Sequence, residues 1–567
     1  MILSAVALWK KFHTDTPLAP YEYDVVRDEK TGCTIGSVTF SGHKVNDGVV
    51  RVFARFARPA KGEKTPAVLV LPDAGKPLDD ELLTYFADKG YAVLMPDYSG
   101  LRADAKKSQH TIFPPSLSYA NYDVRGGFDV LENEADADQT CWFEWCYVAL
   151  YAVEYLKSRE DVSSIGVVGI RTGGEVAWKA MLSPDLRCGV TINAAGWRAY
   201  RHTGKFADNA DANMSDERRR YLAGIESQSY APFVKCPVLM LSALHDETFD
   251  ADRAYDTYAR IGQSDGSAIV YSPNSGSCID NKSLVDMSLF LERNLKGREI
   301  YIPSPIDVSL NYENGELTVT AAGDEEGLFE EVGLYYAEAG AHVKSYLREW
   351  QPVYRADGRT VKEGKFTCKV TPFEGADTAF VYAYATYLNG FTTVSKITAK
   401  KLPVNAAFTV KSRVLYSGDN TDCFSVAAYE EYSTAGVFLE HEATPRLVEG
   451  YGGIKGAYSV GGIKTYKISA PRYVANAGAL LEFDLYAVKT AAVKVYLEIS
   501  GTEGVERFSV TLTVKGGGKW KRNVLSAAEF KSESTGASLS DFSVAQALAF
   551  DCDDEETEFA VTNILWL

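Results

Sequence analysis

The sequence predicts an α/β domain built on a mostly parallel sheet with helices on both faces, followed by two all-β domains. Three observations predict it. Between Tyr21 and Gly297, short and continuously apolar runs alternate with stretches of helical spacing. Strands apolar along their whole length are buried on both faces, the condition of a parallel sheet covered by helices. After "LERNLKGREIYIPSP" the helical spacing stops and strand-like alternation takes over. The 567 residues also exceed what one ordinary domain holds.

The elements follow in order. "TIGSVTFSG" and "VVRVFARFARPA" read as an antiparallel pair at the edge of the sheet. "PAVLVLPDAG" is a buried strand running into a turn, and "DELLTYFADKG" a helix stopped by Gly90. "YAVLMPDYSG" is the next strand and "CWFEWCYVALYAVEYLKSRED" a long, mostly apolar helix. "SIGVVGI" is a strand, Gly174 to Leu182 a helix, and "CGVTINAAGW", "CPVLMLSALHDE" and "SAIVYSPNSG" further strands. From Ile306 to Leu402 short strands such as "ELTVTAA" and "FVYAYATYL" predict a β-sandwich of immunoglobulin or fibronectin type, expected to act as a rigid spacer. From Pro403 to Leu567 the strands lengthen and are punctuated by glycine, which suits a β jelly roll. The near-duplicate "GGIK" at Gly452 and Gly461 reads as two turns of one sheet. The expected boundaries are a lead segment at 1–20, the α/β domain at 21–300, the sandwich at 303–402 and the jelly roll at 405–567.

Composition narrows the function classes. The formal charge of −17, with no basic block, argues against nucleic acid or an anionic membrane as the main partner. Nine scattered cysteines without a C-x-x-C pair argue against a disulfide framework and a zinc site. The opening "MILSAVALWKK" places its lysines after the apolar run, the reverse of a secretion signal, so a cytoplasmic location is expected. "PDAGKP" lacks the spacing of a phosphate loop, and "DCDDEETE" reads as a solvated turn between the last strands. No cofactor and no metal are expected.

The stretch "VVGIRTGGEVAW" carries the functional question. Glycines at 169, 173 and 174 surround one apex residue between a strand and a helix, the pattern of a nucleophile elbow. With "GYAVLMPDYSG" and the order of strands around it, residues 21 to 297 resemble the α/β-hydrolase superfamily, in its dienelactone hydrolase and acetyl xylan esterase branch. The resemblance implies a Ser–Asp–His triad in that chain order. The serine slot falls on Arg171, the acid slot on Asp246, and the histidine slot on Ser277 in "YSPNSGSCIDN".

Arginine offers only donors and stays protonated, so it cannot replace a hydroxyl nucleophile. Serine does not shuttle a proton near neutral pH as imidazole does. Losing nucleophile and base together costs on the order of a million-fold in turnover. A catalytically inactive protein acting in binding or assembly is therefore expected. The alternatives are a carbohydrate esterase with a displaced catalytic set, such as a Cys278–His245 pair, or a purely structural multidomain protein.

Two arrangements of Arg171 stay open. It pairs with Asp246 and closes the pocket. Or it joins the N–H of Thr172 and one from the turn Asp73, Ala74 and Gly75 to hold an anion such as a carboxylate or acidic sugar. His110 and His202, in loops over the pocket mouth, read as surface residues. With "KWKRNVLSAAEF" and the closing "ALAFDCDDEETEFAVTNILWL", the third region resembles jelly-roll carbohydrate-binding modules, which makes a glycan the second expected partner. Trp520, Tyr429, Tyr432 and Tyr451 are its candidate stacking rings, although Trp520 and Trp566 alternate with apolar strand residues and read as core.

Overall fold

A computed structural model describes residues 3–29, 31–59, 64–100, 109–122, 136–200, 204–207, 214–246, 250–262, 265–273, 275–276, 278–325, 327–340, 343–373, 375–403, 411–427, 444–501, 504–552 and 557–567. The first domain contains strands β1 (Tyr21–Arg27), β2 (Thr34–Val45), β3 (Gly48–Arg58), β4 (Thr65–Leu71), β5 (Ala92–Pro96), β6 (Val162–Ile170), β7 (Leu186–Ile192), β8 (Val238–Ala243) and β9 (Ala268–Ser272). They form one nine-stranded sheet in the order β1-β2-β3-β5-β4-β6-β7-β8-β9. Pairing is antiparallel from β1 to β5 and parallel from β5 onward. The expected edge pair is β2 and β3, and β1 lies outside it. β1 escapes the sequence reading because "YEYDVVR" is mostly exposed.

Helices α1 (Ala5–Trp9), α2 (Asp80–Asp88), α3 (Cys141–Lys157), α4 (Thr172–Ala180), α5 (Asp216–Gly224), α6 (Ser227–Tyr230), α7 (Ala251–Tyr258) and α8 (Asn281–Lys296) complete the domain. Side chains alternate across a strand, so β4 feeds two cores at once. Leu69 and Leu71 pack with α3 and α4, whereas Val68 and Val70 pack with Leu83 and Phe86 of α2 and Phe290 of α8. α2 starts where the Asp79 carboxylate accepts the Glu81 N–H at 2.9 Å and ends at Gly90, whose φ of +82° favours glycine. None of the described helices is long and apolar enough to cross a membrane.

The second domain is a sandwich. One sheet is β10 (Asp307–Glu313), β11 (Glu316–Ala322) and β14 (Lys365–Val370). The other is β13 (Gln351–Asp357), β12 (Phe329–Ala339), β15 (Thr378–Tyr387) and β16 (Thr392–Val394), with β17 (Thr398–Lys401) also on β15. It is not a spacer. β15 is buried at every position, because one face fills the sandwich core while Phe380, Tyr382 and Tyr384 join the core of the first domain. Across that junction the Arg348 guanidinium grips the Asp252 carboxylate, with Nη2 donating to Oδ2 at 2.7 Å, and lies 3.7 Å over the Phe380 ring.

The third domain faces one antiparallel sheet, including Lys455–Tyr458 and Phe559–Trp566, against another that includes Ile463–Thr465 and Ala547–Cys552. The two "GGIK" turns therefore serve different sheets rather than one: the first leads into Lys455–Tyr458 and the second into Ile463–Thr465. Trp566 is core, its indole donating to the Tyr473 carbonyl at 2.8 Å. Trp520 is not core. It is half-buried beside Tyr486 and donates to the carbonyl of the exposed Tyr451 at 3.1 Å. Tyr429 and Tyr432 lie outside the described residues.

Candidate functional site: the elbow between β6 and α4

β6 ends at Ile170 and α4 begins at Thr172, leaving Arg171 alone at the apex with φ +49° and ψ −113°. A non-glycine residue held at positive φ is strained and persists only where its surroundings fix it. Here the fixing is tight. A Cβ on Gly173 would stand 2.1 Å from the Leu71 carbonyl oxygen, and one on Gly169 would stand 2.6 Å from that of Gly173. The backbones of β4, β6 and α4 touch at this corner, and only glycine fits there.

The apex side chain runs along two carboxylates. Arg171 Nε and Nη2 each lie 3.1 Å from Asp246 Oδ2, and Nη1 lies 3.8 Å from Asp73 Oδ2. The Asp246 side chain has no exposure, whereas Arg171 and Asp73 each keep about a fifth of theirs. Asp246 sits in the loop after β8, the place assigned to the acid.

The expected oxyanion donors already have an acceptor. The Thr172 N–H donates to Asp73 Oδ1 at 3.3 Å and the Ala74 N–H to the same oxygen at 3.0 Å. A carboxylate of the chain itself therefore occupies the point on which those donors converge, at the N-terminus of α4 where negative charge is favoured. Gly75 turns its N–H elsewhere, to Ser99 Oγ at 3.2 Å. Thr172 is buried.

The proposed replacements for the missing groups are engaged in other ways. Burial pushes the Cys278 thiol up to about 12, and its sulfur lies 2.9 Å from Ser275 Oγ. A thiol in that state supplies almost no thiolate at neutral pH. His245 Nδ1 lies 2.6 Å from the Tyr346 carbonyl of the second domain. The His245 ring stacks on Tyr466 of the third domain at 4.3 Å and 6°. The acid loop is thus held from both β domains. His110 is buried rather than on the surface. Ser277 and His202 lie outside the described residues. Among the described residues, no group of His, Cys, Asp and Glu is arranged to hold a metal ion.

Residues 52–270 match the model of the Dienelactone hydrolase family. Over that segment the chain has an α/β-hydrolase fold and is similar to the dienelactone hydrolase family. Among solved structures, the chain is similar to an acetyl xylan esterase from Paenibacillus sp. R4, at 18% identity over 51% of this chain and 92% of that one, with a TM-score of 0.38. It is also similar to acetyl xylan esterase 1 from Thermoanaerobacterium sp. JW/SL YS485, at 17% identity over 52% and 95% with a TM-score of 0.38. An acylaminoacyl peptidase from Pyrococcus horikoshii is similar at 17% identity over 52% and 44%, with a TM-score of 0.33. No curated protein matches the sequence.

Behind the elbow the hydrolase domain buries a charged layer that sequence reasoning did not single out. Glu175 of α4 pairs with Arg198 at 2.7 Å. Lys179, one turn on, donates to the Glu175 carbonyl at 3.1 Å and sits 5.2 Å from the Trp142 ring and 5.0 Å from that of Tyr230. Burial, opposed chiefly by Glu175, brings the Lys179 ammonium down to about 8. Burial pushes the Glu226 carboxyl up to about 7, although the Ala199 and Trp197 N–H groups donate to it. The only sequence signal was Glu175 and Lys179 on one face of a helix that is otherwise apolar all round.

Proposed function

We propose that this chain is a catalytically inactive α/β-hydrolase-fold protein that acts in binding or assembly. The observation that carries the proposal is Arg171 at the elbow apex, where a guanidinium offers donors and no electron pair to an acyl carbon. Its setting supports the same reading. Arg171 lies against Asp246 and Asp73, and the Asp73 carboxylate holds the donors that would otherwise stabilise an oxyanion. An anionic ligand at this elbow has to displace Asp73 from those donors. The β domains packed on the acid loop favour a role in contacts, with a glycan as the partner that jelly-roll architecture accommodates. All nine cysteines are free thiols, which supports a reducing, cytoplasmic setting.

The test is hydrolysis of p-nitrophenyl acetate by the full chain. The proposal expects a rate equal to the buffer background. A faster rate abolished by Thr172→Ala or Cys278→Ala would show a displaced catalytic set and defeat it.

A further inference from the structure

A concave site that includes no residue of the elbow lies where the second and third domains meet. A cleft of about 260 Å³ opens between the segment at Glu349 and the strand ending at Tyr416. That volume is just under the ~300 Å³ at which pockets for drug-sized ligands begin, so it suits a single small molecule. Two buried polar groups line it. Glu349 is 3% exposed and Tyr416 4%, and neither Glu349 Oε2 nor the Tyr416 hydroxyl has a hydrogen-bond partner among the described residues. Lys467, Asp419, Asn420 and Asp422 are among the other residues that line it.

Folding leaves a buried polar atom unpaired only at a cost in stability, and two such atoms on residues that line one cleft are hard to account for as packing. They are the pattern of a site whose hydrogen bonds are completed by a guest. We propose that this cleft binds a small neutral polyhydroxylated molecule, a sugar or polyol, held by the Glu349 carboxyl and the Tyr416 hydroxyl.

The chemistry of the lining selects that class. Burial pushes the Glu349 carboxyl up to about 8 against the pull of Lys467, so at neutral pH it is largely a protonated acid that both donates and accepts. The tyrosine hydroxyl does the same. Two aspartates oppose an anion, Lys467 opposes a cation, and the neutral acid lends a cation no charge. Hydroxyl groups, each a donor and an acceptor, match both floor groups without requiring either to ionise. The elbow plays no part in this site, so either proposal can fail alone.

The test is saturation-transfer-difference NMR on the full chain, with D-glucose, D-xylose, D-galactose and myo-inositol as neutral probes and methylammonium and acetate as charged controls. At least one neutral probe is expected to receive saturation at millimolar concentration. Tyr416→Phe and Glu349→Leu are each expected to weaken it about tenfold or more, the loss of one buried hydrogen bond. Neither variant should melt earlier than the parent, since each removes an unpaired polar group. Silence from all four neutral probes, undiminished binding in both folded variants, or saturation of a charged control alone would overturn the proposal.

Discussion

Replacing Arg171 with methionine keeps a long side chain at the elbow and removes its charge. The cost follows from where the partner lies. Asp246 has no solvent exposure, and both Arg171 Nε and Nη2 meet its Oδ2 at 3.1 Å. Removing one member of a buried ion pair costs about 3–5 kcal/mol, because the carboxylate stays buried without the guanidinium's opposite charge. Asp246→Asn is the gentler change. It keeps an acceptor, and it leaves an arginine that retains about a fifth of its exposure and has a second carboxylate 3.8 Å away, so about 1–2 kcal/mol is expected. The double variant Arg171→Met/Asp246→Leu removes both charges and should lie within about 1 kcal/mol of the parent. The assay is the thermal midpoint of the hydrolase domain, followed by near-ultraviolet circular dichroism. A chain of several domains does not unfold in two states, so the order of midpoints is the readout. Arg171→Met should fall on the order of 10 °C, Asp246→Asn by less, and the double variant hardly at all. An Arg171→Met protein that melts with the parent, or a double variant that melts lowest, would refute the reasoning.

Two further outcomes are expected. Gly173→Ala should prevent the hydrolase domain from folding, because its methyl would stand 2.1 Å from the Leu71 carbonyl oxygen and two backbones would have to part. The cost exceeds the ~1–3 kcal/mol of ordinary overpacking, and soluble yield with far-ultraviolet circular dichroism checks it. Glu349 is expected to make stability depend on pH. Its carboxyl is held at about 8, above its ordinary 4.5, so the folded chain keeps that proton more tightly than the unfolded one. The stability this provides is full below pH 4.5 and is lost as the pH rises through about 8. Glu349→Gln should flatten that limb of the melting profile, and an unchanged slope would count against the burial of the acid.

The elbow was legible because its physics is local. Glycines at 169, 173 and 174 leave room for three backbones to meet, and that requirement is written in the sequence whatever the apex residue is. The parallel strands were legible for a related reason, since burial on both faces forces continuous apolar runs. The same rule applied to "FVYAYATY" would have revealed that β15 packs on the hydrolase domain as well as within its own sandwich. Edge strands β1 and β13 escaped because most of their residues meet solvent and need no pattern. Asp73 was read for the backbone donors of its turn. That its carboxylate accepts those donors depends on a side-chain direction that spacing does not encode. The cleft at Glu349 forms only when two domains dock, and nothing in either stretch alone announces it.

The central claim is that the elbow presents no nucleophile. Intact-mass spectrometry of the full chain after treatment with a fluorophosphonate tests it most directly, since the reagent forms a covalent adduct only with an activated hydroxyl. The account predicts an unchanged mass. A stoichiometric adduct mapped to Thr172 or to Ser277 would contradict it.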